Sequence, residues 1–167
     1  GRLRRAGHTV YGLRRDTSRL PAGVQSVAAD LGDMSSLRVL PAAIDFVFYT
    51  ASASDYGESA YRAAYVDGLG NLLTALEGQK PQRVFFTSST GVYDQNDGEW
   101  IDESSPAKAD RATSQALRDG ERLVLASAFP ATVVRFSGIY GPGRTRLIDS
   151  VAAGSARLEL GDTRYLN

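Results

Sequence analysis

The chain has 167 residues, about the length of one domain and enough to bury a core. Lysine plus arginine and aspartate plus glutamate each number 19, so no net charge argues for a nucleic acid or an acidic membrane surface as partner. There is no cysteine and one histidine, His8, which removes disulfides, thiol nucleophiles and thiolate metal sites and leaves any histidine-based triad or metal cluster to that residue alone. No apolar run approaches the ~18 residues of a membrane span and no signal-type apolar segment follows the basic N-terminus, so a soluble cytoplasmic protein is the expectation.

In chain order, GRLRRAGHTVYGLRRD reads as the end of a helix, a turn at Gly7 and His8, then a strand over Val10–Leu13 that runs into Arg14 and Arg15. Further short apolar runs, rich in β-branched and aromatic residues, predict strands over Val24–Ala28, Phe46–Thr50, Val84–Thr87 and Thr132–Phe136, each expected to be buried on both faces. Between them, Tyr65, Leu69, Leu72, Leu73 and Leu76 share one helical stripe, and Ala112, Ala116, Gly120, Leu123 and Val124 another. Either stripe is a candidate for core or for a homodimer interface. Thr145–Ala153 reads as a helix and the RLELG that follows as a short strand. Strands alternating with helices call for a parallel α/β sheet, and no repeat or linker divides the chain.

Several stretches then stand in an order that carries a resemblance: GHTVYGL, Ala29-Asp30-Leu31, DFVFYTAS from Asp45 to Ser52, YVDGLGNLLTAL from Tyr65 to Leu76, TSSTGVY, IDESSP and VVRFSGIYGPG. Together they resemble the extended short-chain dehydrogenases/reductases, the superfamily of NAD(P)-dependent nucleotide-sugar epimerases and dehydratases. Tyr65 stands where that family usually has asparagine. The resemblance implies a Rossmann-type doubly wound parallel sheet. The family's first strand and glycine-rich loop are not among these residues, so the chain is expected to be a fragment: an NAD(P)-binding domain over residues 1–167, with the start of a substrate lobe from about residue 137.

Dinucleotide recognition in such folds uses a side chain at the end of the second strand to read the ribose. Here Arg14 and Arg15 stand there, and two guanidiniums suit a 2′-phosphate dianion, which predicts NADP rather than NAD. The resemblance places Asp30 at the adenine amino group, Leu31 in the adenine pocket, and Thr50, Ala51, Ser52 and Ser88 on the cofactor side of their strand ends. As an alternative, Asp30 is a turn residue capping a helix that begins near Asp33.

The family's chemistry relies on a tyrosine whose phenol is activated by a lysine one helical turn away, Y-x-x-x-K. Two anchors locate that pair. Laying the family's acidic-loop pattern on Glu103 and Pro106 puts the tyrosine at Thr113, and laying K-x-x-G-E on Gly120 and Glu121 puts the lysine at Leu117. Thr113 and Leu117 are four apart, as the motif requires, so both catalytic residues are replaced. A threonine hydroxyl is far too weak an acid to substitute, and leucine supplies no charge. Lys108 reads as an exposed loop residue. Ser89, four before Tyr93, matches the family's serine that bonds the substrate oxygen, and Tyr93 and Tyr140 are the remaining candidates for a relocated phenol.

The rest is less specific. No P-loop and no G-x-S-x-G elbow is present. Asp94, Asp97, Glu99, Asp102 and Glu103 surround Trp100 in an acidic stretch that reads as a solvated loop anchored by Trp100 and Ile101, with a metal site or a substrate-facing Trp100 as alternatives. His8 reads as a turn residue, and Arg135 as a buried arginine bonding loop carbonyls. Two functional classes follow. One is an epimerase, dehydratase or oxidoreductase acting on a nucleotide sugar or a small carbonyl or alcohol with a displaced acid/base pair. The other is a non-catalytic NADP-binding sensor or regulator. A flavodoxin-like domain without dinucleotide is a weaker third.

Overall fold

The computed structural model describes residues 1–95 and 97–157; the RLELG stretch lies, but for its first residue, outside the described residues. Helix α1 (Arg2–Arg5) runs to Gly7, whose φ of +87° is a left-handed turn that glycine adopts without strain. Strand β1 (Tyr11–Arg14) follows, then β2 (Gln25–Ala28), and the two pair in parallel with Leu13 opposite Val27. Beyond β2, Asp33 caps a 3₁₀ segment (Met34–Val39) by accepting the Ser35 amide at 2.9 Å.

The second half repeats the strand-helix alternation. Strand β3 (Phe46–Tyr49) leads to helix α2 (Glu58–Arg62), a π turn (Ala63–Asp67) and helix α3 (Gly68–Ala75). Strand β4 (Arg83–Ser89) leads through a 3₁₀ turn (Thr90–Val92) and a long loop to helix α4 (Ala112–Leu125). Strand β5 (Ala131–Phe136) and helix α5 (Arg146–Ala152) complete the described elements. Among the described residues the strands form two parallel sheets, β1-β2 and β3-β4-β5. In a doubly wound sheet these are the two flanks on either side of the first strand's place, between β1 and β3.

The core lies on one face of the larger sheet. Along β4, Val84, Phe86 and Ser88 are buried while Arg83, Phe85, Thr87 and Ser89 alternate with them at intermediate exposure. Leu69, Leu72, Leu73 and Leu76 of the α3 segment, Val124 of α4 and Tyr49 of β3 close over the buried face. A second cluster, Val27, Ala29 and Leu37, sits beside β2, and Leu31 and Leu40 pack against both. The expectation of strands buried on both faces therefore fails. Among the described residues helices cover one face, and on the other Phe48 stacks on Phe85 with centroids 4.9 Å apart while Phe46, Phe48 and Phe136 stay about half exposed.

In both stripes leucines reach the core, Leu72 buried and Leu123 packed against the same cluster, while Ala112 at the start of the second stripe is exposed. The first of these helices also departs from a simple α-helix. The Tyr49 phenol donates to the Ala64 carbonyl at 2.5 Å, diverting an acceptor from the helical ladder, and the chain widens into the π turn at that point. Burial pushes the Tyr49 phenol's pKa up, so it remains a neutral donor there. Glycines make room around the turn. A Cβ on Gly68 would lie 3.0 Å from the Tyr49 oxygen, and one on Gly120 would lie 2.4 Å from the Tyr65 carbonyl oxygen.

Candidate active site

Parallel pairing brings the C-terminal ends of neighbouring strands to one edge, so Thr50–Ser52, Ser88–Ser89 and Arg135–Phe136 follow one another along the larger sheet. In open α/β sheets that edge is where ligands bind. Thr50 and Ser52 are exposed there, and Ala51 packs against the core.

On the smaller sheet, Arg14 ends β1 and is exposed, with no salt bridge to any described residue. Arg15 approaches Asp30 at 3.8 Å, a pair with side chains 79% and 46% exposed and so of little energetic weight. The structure thus gathers Arg14, Arg15 and Asp30 at one strand edge. Asp30 also accepts the Gly32 amide at 2.9 Å, as a turn residue does, while the helical cap belongs to Asp33. Leu31 serves the core: it bridges the two apolar clusters, and its carbonyl accepts the Asn71 side-chain amide at 2.8 Å.

The hydroxyl run at the end of β4 divides between inside and outside. Ser88 is buried, and its hydroxyl donates to Glu121 at 2.6 Å, so any contact with a cofactor falls to its backbone. Ser89 points the other way. Its oxygen accepts the Gly91 amide at 3.1 Å, and its own proton has no acceptor among the described residues. Helix α4 is fastened to this strand end by Ser114, whose hydroxyl donates to the Gly91 carbonyl at 2.7 Å. Thr113 stands half-buried in the first turn of α4, and Leu117, one turn further, is only 6% exposed.

Tyr93 is fully engaged. Its phenol accepts from Arg135 Nη1 at 2.7 Å and donates to the Asp102 carbonyl at 2.8 Å, and the guanidinium carbon lies 5.0 Å from the ring centroid. Tyr140 lies on the loop after β5, 82% exposed. Arg135 does not bond loop carbonyls as expected. It forks onto Glu121, Nε to Oε1 at 2.9 Å and Nη2 to Oε2 at 2.6 Å. Those bonds, with Tyr93 adding to them, hold the guanidinium's pKa above its ordinary value.

Glu121 is the residue that sequence reasoning passed over, using it only to align the helix. The signal was there: a carboxylate one turn beyond Leu117 and three before Val124, on a helix face otherwise made for the core.

The acidic loop also differs from expectation. Trp100 is 99% exposed and anchors nothing; Ile101 alone is partly buried. Asp102 instead folds the loop on itself, accepting the Ser104 amide at 2.9 Å and the Ser105 amide at 3.0 Å. Lys108 is exposed, as is His8, whose amide closes the turn onto Leu3.

Comparison with known proteins agrees with this architecture. The model of the NAD-dependent epimerase/dehydratase family matches residues 1–163. A 3-diazoavenalumate denitrifying reductase from a Streptomyces species is 30% identical over 160 residues, 86% of this chain and 52% of that protein. A Methylobacillus flagellatus structure described as an NAD-dependent epimerase/dehydratase is 40% identical, with a TM-score of 0.77 over 94% of this chain and 55% of that one. MoeE5, solved with UDP-glucose and NAD, is 25% identical, with a TM-score of 0.72 over 92% of this chain and 56% of its own. The chain spans about half the length of these relatives. No described helix is long and apolar enough to cross a membrane. The chain belongs to the NAD-dependent epimerase/dehydratase family.

Proposed function

We propose that the intact protein is an NADP-linked reductase for acceptors that need no proton relay from the enzyme, with residues 1–167 as the cofactor domain and the start of the substrate lobe from about residue 137. The observation that carries this reading is the state of the acid/base position: Leu117 is buried, Thr113 is a hydroxyl, and the phenol of Tyr93 has both its proton and a lone pair occupied. The nicotinamide, when bound, supplies the hydride. A carbonyl acceptor would also need a proton at oxygen, and a threonine at 113 with a buried leucine at 117 supplies no activated phenol for it. An acceptor that is already electron-poor, such as a diazo or conjugated group, can take its proton from water.

The chain's own residues then bind and orient. Arg14 and Arg15 at the end of β1 fit a 2′-phosphate, because Arg14 makes no salt bridge among the described residues and Arg15 only the long, exposed contact to Asp30. Asp30 and Thr50–Ser52 line the cofactor side, and the free proton of Ser89 is offered to the acceptor. The reductase from Streptomyces, a relative named for removing nitrogen from a diazo compound, supports this choice of acceptor. A second reading, nucleotide-sugar chemistry, is supported by the UDP-glucose bound to MoeE5. The same locked acid/base position would also suit a protein that binds NADP only to sense it.

The test is cofactor absorbance of the full-length protein, with NADPH and NADH, against nucleotide sugars, small carbonyl compounds and diazo compounds. NADPH oxidation by an electron-poor acceptor, at a rate nearly flat between about pH 6 and 9, is expected. Turnover of a nucleotide sugar with a bell-shaped pH profile would overturn the reading, and tight NADPH binding without any turnover would favour the sensor.

A further inference from the structure

We propose that Arg135, gripped by Glu121, is a positioning residue that sets where the loop of residues 97–105, downstream of the Ser89 strand end, is held, acting through the Tyr93 phenol. The proposal rests on the reading of Ser89 as the residue that holds the acceptor.

The network has three tiers. At its base, the Glu121 side chain is 6% exposed and takes three bonds, from Ser88 Oγ at 2.6 Å, Arg135 Nε at 2.9 Å and Arg135 Nη2 at 2.6 Å. Two of these come from one guanidinium, which fixes the plane of the Arg135 fork. Nη1, on the far side of that fork, holds the Tyr93 oxygen at 2.7 Å. Because Arg135 has no acceptor atom, the phenol's proton must point elsewhere, and it goes to the Asp102 carbonyl at 2.8 Å.

Asp102 is the knot of the loop. Its carboxylate takes the amides and hydroxyls of Ser104 and Ser105, and its amide donates to the Ser105 hydroxyl at 2.9 Å. Gripping the Asp102 carbonyl therefore grips a preformed turn. Trp100, two residues before the knot, is 99% exposed and gives the loop no anchor by burial, and Ile101 is only partly buried. The polar pin adds to the partial burial of Ile101.

The same carboxylate of Glu121 holds Ser88, the neighbour of Ser89. One carboxylate thus holds the strand end beside Ser89 and, through Arg135 and Tyr93, the loop.

The experiment uses the full-length protein. Tyr93→Phe removes the phenol oxygen and keeps the ring, leaving the bonds of Glu121 to Ser88 and Arg135 in place. Amide hydrogen exchange by mass spectrometry should show residues 97–105 exchanging at least tenfold faster, with β4 and α4 unchanged. Arg135→Lys keeps the charge and loses the fork, and should speed the same loop. The double variant should exchange no faster than the faster single variant, since both break one chain of contacts. With the best acceptor found for the protein, Tyr93→Phe should raise KM at least fivefold while NADPH affinity stays within twofold. Unchanged loop exchange in Tyr93→Phe, or additive effects in the double variant, would overturn the pin. Altered exchange with no effect on KM would instead leave the pin standing and refute Ser89 as the acceptor site.

Discussion

Replacing Gly120 by alanine sets two effects of opposite sign against each other. In an exposed helix interior the change would stabilise by about 1 kcal/mol, because glycine is the poorer helix former. Here the new Cβ would lie 2.4 Å from the Tyr65 carbonyl oxygen and 2.9 Å from Phe86 Cζ. Carbon and oxygen in contact settle at well over 3 Å, so α4 would have to retreat by roughly 1 Å. Neither neighbour can yield cheaply. The carbonyl belongs to the π turn held by Tyr49, and Phe86 is fully buried with the Tyr65 ring edge-on at 6.3 Å.

Overpacking of this kind costs about 1–3 kcal/mol, and a backbone contact belongs at the upper end. Subtracting the propensity gain leaves a net loss of about 2 kcal/mol. Urea unfolding of the full-length protein, read as a shift in midpoint at constant slope, measures it. Gly70→Ala is the internal control: its nearest neighbour would be Leu123 Cδ2 at 3.7 Å, an ordinary contact, so that variant should be neutral or stabilised by up to about 1 kcal/mol. If Gly120→Ala is as stable as Gly70→Ala, the close seating of α4 on the π turn is wrong.

Three other outcomes follow from the site. Changing Arg14 and Arg15 together to alanine should weaken NADPH binding at least tenfold and leave NADH binding within twofold, measured by calorimetric titration; equal losses for both would refute the phosphate assignment. Leu117→Lys puts an ammonium at a position only 6% exposed, where burial lowers its pKa below that of the unfolded chain. The unfolded state then binds more protons, so stability must rise with pH, and the variant should lie closer to wild type at pH 10 than at pH 7. Hydrogen bonds from Ser104 and then Ser105 hold the Asp102 carboxyl below its ordinary pKa, so the turn it makes is intact above the unfolded value and loosens as pH falls through the lower folded one. NMR titration of the Asp102 carboxyl and of the Ser104 and Ser105 amides should show a common midpoint below about 3.9.

Much of the architecture is local and was therefore legible. A run such as Val84–Thr87 is β-branched and aromatic, and the stripe of Leu69, Leu72, Leu73 and Leu76 has helical spacing; both are properties of neighbours in sequence, and both form where expected. What escaped is non-local. The π turn meets the Tyr49 phenol of β3 at the Ala64 carbonyl, and no pattern within residues 63–67 announces it. Ser88 meets Glu121 across 33 residues, and Tyr93 meets Arg135 across 42. Burial on one face only was likewise invisible, since the apolar runs alone do not say which face of a strand the helices cover.

By itself, then, the sequence determined a parallel α/β chain and its family, because element type and motif spacing are written in local order. Only the tertiary structure decided what became of the groups that remain. It turned Ser88 inward to Glu121, left the proton of Ser89 without an acceptor among the described residues, and tied Tyr93 to Arg135 and Asp102, because each of those partners is chosen by the packing of α4 and β5 against β4.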